Sequence, residues 1–224
     1  MMCDERLFAP QVSQLHTDYN VSVGDITAAD NMHDLAVDVL KKAPEQFALC
    51  GLSMGGIVAM EIYRQAPQRV DAIAFLDTSP LAEVETVKAS RQPQIERVQS
   101  GCLAKVMRDE LKPKYLANGP SKQFILKLCM DMALDLGPDT FSNQSLALRE
   151  RTDQQETLRR IDVPTLVLCG REDQLCSVEK HKLMHKLVPN SQFVVVEKAG
   201  HLPTLEQPEE TAVHLHNWLE NSRT

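Results

Sequence analysis

One serine, Ser53, lies among three glycines in the stretch FALCGLSMGGIVAM at residues 47–60. Gly51 to Gly55 reads G-x-S-x-G, a pattern that carries a nucleophilic serine when a strand precedes it and a helix follows it. An apolar run before the motif and a helix-like run after it supply that context. We expect glycine at the flanking positions because a sharp turn leaves no room for a Cβ. The alternative is an ordinary glycine-rich turn.

A serine hydroxyl is a poor nucleophile until a base takes its proton, so a histidine is required. His201, in EKAGHLPTLEQP, directly follows the last strand-like run and precedes the final helix, so it can reach back over the sheet edge. His181 and His185 lie four residues apart, but they lack the Glu of H-E-x-x-H, and a solvated helix face explains them better than a metal site. The remaining histidines are interpreted as structural or surface residues: His16, His33, His214 and His216.

The acid that orients the histidine should lie at the end of another strand. Asp173, in LVLCGREDQLC, follows the strand-like run 163–170 and is the favoured candidate. Asp77, in AFLDTSP, is its rival, and Glu172 is a third candidate. With Asp173 the chain order is Ser, Asp, His, which is the order of the α/β-hydrolases.

Strand-like runs alternate with helix-like runs along most of the chain. The strands are continuous apolar segments rather than alternating ones, which indicates burial on both faces and a parallel sheet. The predicted fold class is therefore α/β, with a mostly parallel central sheet flanked by helices. Strands are predicted at 21–26, 47–51, 70–79, 163–170 and 192–197.

The alternation stops between Pro80 and Ile161, where the apolar spacing is helical only. Helices are predicted at 97–111, 122–136 and 142–149, with prolines between them. A helical insertion between two parallel strands is typical of a cap over their carboxyl ends, where open α/β sheets bind ligands. The predicted organisation is a core of 1–79 and 161–224 with a helical cap of 80–160.

The composition argues against nucleic acid and membrane partners. The 224-residue chain has a formal net charge of -7 and a pI near 5.5, whereas nucleic acid binding needs a basic surface. No run approaches the ~20 apolar residues of a membrane span, and MMCDERLFAP lacks the apolar region of a signal peptide. Six scattered cysteines form no C-x-x-C pair. We expect a cytoplasmic protein with no cofactor or metal and a small-molecule substrate; the sequence does not indicate its oligomeric state.

Three segments together resemble the α/β-hydrolase fold family, in its cap-bearing esterase-like branch: GLSMGG, VPTLVLCGREDQ and AGHLPTLEQPEE. They occur in the family's order and span most of the chain outside the predicted cap. The resemblance implies that Ser53 is the nucleophile, that His201 acts as base and then as acid, and that Asp173 orients it. It also implies that the N–H of Met54 is one donor of the oxyanion hole.

The N-terminus departs from the family, whose sheet begins with strands ahead of the first helix and whose second oxyanion donor follows one of them. This chain enters a helix-like stretch at 6–15 almost at once. By the resemblance, Met1 or Met2 takes the place of the second donor, and a gap is expected in the sheet between 21–26 and 47–51. We favour a sequence that begins too late over a chain that is short and impaired.

The first functional hypothesis is a serine hydrolase acting on a small ester or thioester through an acyl-enzyme. The second keeps the triad for a lyase, C–C hydrolase or perhydrolase reaction. The third is a non-catalytic ligand-binding protein or an N-terminally truncated, inactive hydrolase. A small excess of basic over acidic residues between residues 80 and 115 is better explained by a solvated face than by binding of a carboxylate substrate.

Overall fold

The computed structural model describes residues 1–222. Within them, four parallel strands form one sheet in the order β1-β2-β3-β4. Leu52 lies level with Leu76, and Leu76 with Leu168, so the carboxyl ends of the first three strands meet at one edge. The strands are β1 (Phe47–Leu52), β2 (Val70–Leu76), β3 (Thr165–Gly170) and β4 (Gln192–Val196).

Helices cover both faces of the sheet, which explains why its strands are apolar throughout. Ile73 and Phe75 of β2 pack into the cluster on one face, and Ala74 and Leu76 pack into the cluster on the other. Within residues 1–222 the α-helices are α1 (Ala9–Leu15), α2 (Met32–Lys42), α3 (Met54–Gln65), α4 (Glu85–Arg97), α5 (Leu103–Val106), α6 (Lys122–Arg149), α7 (Gln155–Arg159), α8 (Val178–Leu187), α9 (Pro203–Glu206) and α10 (Pro208–Asn221).

The segment between β2 and β3, called the helical segment below, holds α4 to α7 and short π- and 3₁₀-helical turns. It has an apolar cluster that includes Val98, Met107 and Phe141. The helices predicted at 122–136 and 142–149 are the two halves of α6, which bends at Gly137. Gly137 has φ 79°, and Pro138 after it cannot continue the backbone hydrogen bonding, so the two halves differ in direction. The division into a core and a cap of 80–160 stays a prediction.

Four of the five predicted strands are confirmed, but the strand at 21–26 is wrong. Residues 21–26 belong to no strand, and most of them are exposed. A strand is stable only when a neighbour pairs with its backbone. In the described part of the chain, β1 pairs with one strand, β2, and its other edge and residues 21–26 line the same cavity. The expected gap between residues 21–26 and β1 is therefore present. Residues 21–26 have no neighbouring strand with which their backbone could form hydrogen bonds.

No helix in the part of the chain that the structure describes has the length and apolar character needed to cross a bilayer.

Candidate active site

Ser53 lies on the turn that joins β1 to α3. Its φ of 54° and ψ of −116° are rare for a residue with a side chain, so the turn is strained at the serine. A Cβ on Gly51 would lie 2.3 Å from the carbonyl oxygen of Gly55, which explains the first glycine of the motif. A Cβ on Gly55 would meet nothing within 4 Å, so the steric reason expected for the second flanking glycine is wrong.

Ser53, His201 and Asp173 form one hydrogen-bonded chain. The Ser53 Oγ lies 2.8 Å from Nε2 of His201, and Nδ1 of His201 lies 2.8 Å from Oδ2 of Asp173. These contacts fit a neutral imidazole that accepts from the serine hydroxyl and donates its Nδ1–H to the carboxylate. His201 is 4% exposed and Asp173 is 7% exposed, so the hydrogen bond between these two side chains is shielded from water.

Asp173 occupies the turn after β3, where backbone donors hold its carboxylate. Its Oδ1 accepts the N–H groups of Leu175 at 2.7 Å and Cys176 at 3.0 Å. Burial by itself raises the pKa of Asp173, but the hydrogen bond from His201 and these N–H groups outweigh it and hold the pKa below its ordinary value. Asp173 is therefore ionised at neutral pH and can stabilise a positive charge on His201.

The two alternative acids do not join this chain. Asp77 is fully buried at the end of β2, where its Oδ1 accepts the N–H of Gly170 at 2.9 Å. Its Oδ2 has no hydrogen-bond partner among the described residues. Burial, and next the negative charge of Asp173, raise the pKa of Asp77 well above its ordinary value. The side chain of Glu172 is exposed.

The loop that carries His201 is held by Glu206, which the sequence analysis missed. Oε2 of Glu206 accepts the N–H groups of Gly200 at 2.9 Å and Leu202 at 3.1 Å, one on each side of the histidine. Its Oε1 accepts the N–H of Ala117 in the helical segment at 2.7 Å. Burial raises the pKa of Glu206, and these three donors oppose that rise. The only available signal was an acidic residue five positions after the histidine.

The helical segment contacts the histidine itself as well. The backbone N–H of His201 donates to the carbonyl of Tyr115 at 2.7 Å. The rings of the two residues lie 6.0 Å apart between centroids. The position of the histidine therefore depends on the sheet, through Asp173, and on the helical segment, through Tyr115.

A second histidine, His181, is linked to the backbone of Ser53 through Thr78. The prediction that His181 lies on a solvated helix face is wrong. His181 is fully buried, and its Nε2 accepts the N–H of Thr78 at 3.0 Å. The Thr78 hydroxyl donates to the carbonyl of Ser53 at 2.7 Å. Burial lowers the pKa of His181 to about 4, so the ring is neutral at pH 7. Helical spacing indicated that His181 and His185 share a face, but not that α8 packs against β3 and β4 so that His181 is buried beside Thr78.

The oxyanion donors stay predictions. Met54 is the first residue of α3, so its N–H has no acceptor within the helix. The N–H of Met2 donates to Oε1 of Gln144 at 2.7 Å, which occupies one of the two groups considered for the second donor. Met1 lies in the wall of the same cavity as Ser53.

A cavity of about 1430 Å³ opens in front of the serine. Its wall combines the full length of β1 with the helical segment, residues 20–27 and parts of α1 and α10. Ser53 and His201 both line it, together with Met54, Leu81, Leu148 and Leu202.

One group of residues in the described chain has atoms close enough together to hold a metal ion. The ligand atoms of Asp173, Cys176 and His201 lie within 4.8 Å of one another. Both ring nitrogens of His201 already contact Ser53 and Asp173, however, so a metal there would have to break the hydrogen-bonded chain.

A family model for the alpha/beta hydrolase fold matches residues 17–208. The chain therefore belongs to the α/β-hydrolase fold family, as the resemblance implied. A pimeloyl-[acyl-carrier protein] methyl ester esterase of Legionella pneumophila is 24% identical over 90% of this chain and 84% of its own length.

Solved structures give the same fold. A thermophilic esterase from Thermogutta terrifontis, solved with malate bound, superposes with a TM-score of 0.89 at 26% identity, over 99% of this chain and 87% of the other. The enol-lactonase of Burkholderia xenovorans superposes with a TM-score of 0.85 at 18% identity, over 98% and 88%. The protein is an enzyme of the hydrolase class, and several of its relatives are named as esterases.

Proposed function

We propose that the protein is a serine hydrolase that cleaves a small ester or thioester through an acyl-enzyme. The observation that carries this proposal is the position of His201, whose two ring nitrogens each lie 2.8 Å from a partner of the required kind. A base 2.8 Å from a hydroxyl is within the reach needed for proton transfer. The esterase names of its relatives support the same reaction class.

In the proposed mechanism Ser53 Oγ attacks the carbonyl carbon of the ester while Nε2 of His201 takes the hydroxyl proton. The resulting imidazolium is stabilised by the ionised Asp173 through Nδ1–H. The N–H of Met54 donates to the oxyanion of the tetrahedral intermediate. His201 then protonates the leaving alcohol or thiol, and water activated by the same histidine hydrolyses the acyl-enzyme.

Substrate selection is assigned to the helical segment, acting as a cap of residues 80–160. It supplies one wall of the cavity opposite the sheet edge, with Leu81, Val84, Leu111 and Leu136 among its lining residues. An apolar wall suits an acyl chain, because burying a CH₂ group contributes about 0.8 kcal/mol.

A fluorophosphonate probe tests the proposal without knowledge of the substrate, because it reacts with activated serines. We expect a single adduct at Ser53, located by mass spectrometry, and loss of labelling in His201→Ala. Ser90→Ala, which changes another cavity-lining serine, is the matched control and should label normally.

Turnover of a panel of simple acyl esters completes the test. Ser53→Ala and His201→Ala should each lower kcat by about 10⁴-fold or more. A folded wild-type chain that neither labels nor hydrolyses any ester would overturn the proposal.

A further inference from the structure

Two arginines share one carboxylate in the wall of the catalytic cavity. Nε and Nη2 of Arg91 both donate to Oε2 of Glu83, and Nη2 of Arg151 lies 2.9 Å from Oε1 of the same residue. The side chains of Arg91, Glu83 and Arg151 are 10%, 6% and 14% exposed. We call these three residues the arginine cluster.

The arginine cluster carries more positive than negative charge. Two guanidinium groups and one carboxylate leave one uncompensated positive charge. Arg151 also donates from Nε to the carbonyl of Leu81 at 3.0 Å, but a carbonyl carries no net charge. Burial lowers the pKa of Arg151, which is the effect of withdrawing a cation from water. A buried cation without a counter-ion is unfavourable, and a bound anion removes that penalty.

Two N–H donor groups of the arginine cluster also lack a strong acceptor. Among residues 1–222, Nη1 of Arg91 contacts only the sulfur of Met1, at 3.6 Å, and a thioether is a weak acceptor. Nη1 of Arg151 has no acceptor among residues 1–222. It is also absent from the unpaired atoms of that range that are fully buried. It therefore keeps some access to solvent, and the residue lines the cavity.

The other charged residues of the cavity wall do not offer the same site. Glu110 is paired with Arg97, and Asp4 with Arg6. Lys180 donates to the carbonyl of Leu175, and its ammonium group lacks the planar pair of donors that a guanidinium offers to a carboxylate. The rest of the charged residues in the wall are exposed, where water screens them: Glu5, Asp25, Lys42 and Lys114.

We propose that Arg91 and Arg151 bind a carboxylate on the acyl part of the substrate, so that the preferred substrates are monoesters or monothioesters of dicarboxylic acids. This inference rests on the proposed function. A planar guanidinium matches a carboxylate through paired hydrogen bonds. One negative charge balances the surplus, whereas a phosphate dianion would leave a buried negative charge in its place.

The cluster also joins the two ends of the helical segment, since Glu83 lies near its start and Arg151 near its end. A purely structural joint would leave this triad with a surplus positive charge, which a bound anion would balance.

The test measures binding to the Ser53→Ala variant, which cannot turn its ligand over. Monomethyl and dimethyl esters of straight-chain dicarboxylic acids, from succinate to suberate, differ at each length only by one charge and one methyl group. Isothermal titration calorimetry should show that the best monoester binds at least about tenfold more tightly than its diester, which is the size of one charge-assisted hydrogen bond.

Arg91→Met and Arg151→Met, each made in the Ser53→Ala background, should reduce that preference to about twofold or less while leaving the affinity for the diester unchanged. Arg97→Met, which removes an arginine that pairs with Glu110, is the matched control and should keep the full preference. Equal affinity of the monoester and diester for Ser53→Ala would overturn the proposal. So would a loss of affinity in the methionine variants that is the same for both ligands, which is the signature of a structural joint.

Glu83→Gln covers the case in which the methionine variants unfold. It removes the competing carboxylate and keeps both arginines, so the preference for the monoester should persist or increase; its disappearance would contradict the proposal. The binding result is separate from catalysis. Hydrolysis of neutral esters without any preference for the anion refutes this inference alone, and a binding preference without hydrolysis refutes the proposed function alone.

Discussion

At the scale of single residues, Asp77 and Asp173 form an acid pair at the ends of β2 and β3. Burial and the charge of Asp173 raise the pKa of Asp77 well above its ordinary range, while the pKa of Asp173 is lowered. Where the pair holds a single proton, these opposite shifts in pKa place that proton on Asp77 rather than on Asp173. Its backbone φ of 42° is the left-handed conformation that residues with side chains rarely adopt.

Asp77→Asn mimics this protonated carboxyl group. The amide oxygen can accept from Gly170 and the amide group can donate toward Asp173, so we expect kcat within about threefold of wild type and an unchanged pH profile.

Asp77→Ala leaves the buried N–H of Gly170 unpaired and should cost about 1–3 kcal/mol of unfolding free energy. Steady-state kinetics from pH 5 to 9, together with urea unfolding, measure both effects. If Asp77→Asn instead lost as much activity as Asp173→Asn, Asp77 would have to be ionised and needed as a carboxylate.

The three residues of the hydrogen-bonded chain could be found from the sequence because each of them follows a predicted strand. Ser53, Asp173 and His201 could be placed at one sheet edge from the alternation of strands and helices alone. The supporting residues could not. His181 and Glu206 act through the backbone of their neighbours, and such contacts depend on how helices and loops pack, which the spacing of residues does not report.

At the scale of elements, the loop between β4 and α9 depends on one carboxylate. Glu206→Gln replaces one of its two oxygens by an NH₂ group, which faces the backbone N–H groups of either Ala117 or Gly200 and Leu202. We expect a loss of about 1–3 kcal/mol in unfolding free energy and slower fluorophosphonate labelling of Ser53. The matched control is Glu209→Gln, an exposed position on α10 that should change neither quantity. Labelling at the wild-type rate in Glu206→Gln would show that the loop needs no such support.

The turn between β1 and α3 gives a matched pair of glycines. Gly51→Ala places a Cβ 2.3 Å from the Gly55 carbonyl and should cost about 1–3 kcal/mol or more, as overpacking does. Gly55→Ala meets nothing within 4 Å and lies inside α3, where alanine is favoured over glycine by up to about 1 kcal/mol. Urea titration of the two variants measures the difference. Equal stability would mean that the turn relaxes freely.

Strands were predicted correctly where the apolar segment pairs with neighbouring strands in the sheet. The runs at 70–79 and 163–170 are paired on both sides and became β2 and β3. The run at 21–26 is less apolar, since Ser22, Gly24 and Asp25 interrupt it, and it faces a cavity rather than a neighbouring strand. The bend in α6 needed the positive φ of Gly137, which the sequence reports only as a glycine before a proline.

At the scale of the whole molecule, His181 makes the stability of the fold sensitive to acid. Its pKa is lowered from 6.5 to about 4. The unfolded chain therefore binds a proton at this site below pH 6.5, while the folded chain does not until about pH 4. Folding stability is highest above pH 6.5 and falls as the pH drops between these two values. The loss from this group approaches about 3 kcal/mol, because one unit of pKa corresponds to about 1.4 kcal/mol.

Urea titrations at pH 7 and pH 5, followed by the fluorescence of Trp218, test this expectation, since this single tryptophan is 4% exposed in the folded chain. His181→Gln cannot titrate, so it should be less stable than wild type at pH 7 but lose less on acidification. A variant with the same pH dependence as wild type would show that other groups cause the acid sensitivity.

The approach of the helical segment to the sheet edge is the part of the molecule that the sequence left undetermined. Its helices were predicted, but the contacts that join Tyr115 and Ala117 to the histidine loop link positions far apart in the chain. No local pattern encodes such a pairing.

The contacts at residues 115–117 join the helical segment to the loop that carries His201. The Tyr115 carbonyl accepts the N–H of His201, and the Ala117 N–H donates to Glu206, which also holds that loop. A chimera that grafts the corresponding segment of another hydrolase onto this sheet would therefore displace His201 as well as change the cavity wall. Exchange of the segment should succeed only when residues 115–117 are kept with the sheet. The fusion points of such a chimera therefore belong inside the helical segment rather than at its ends.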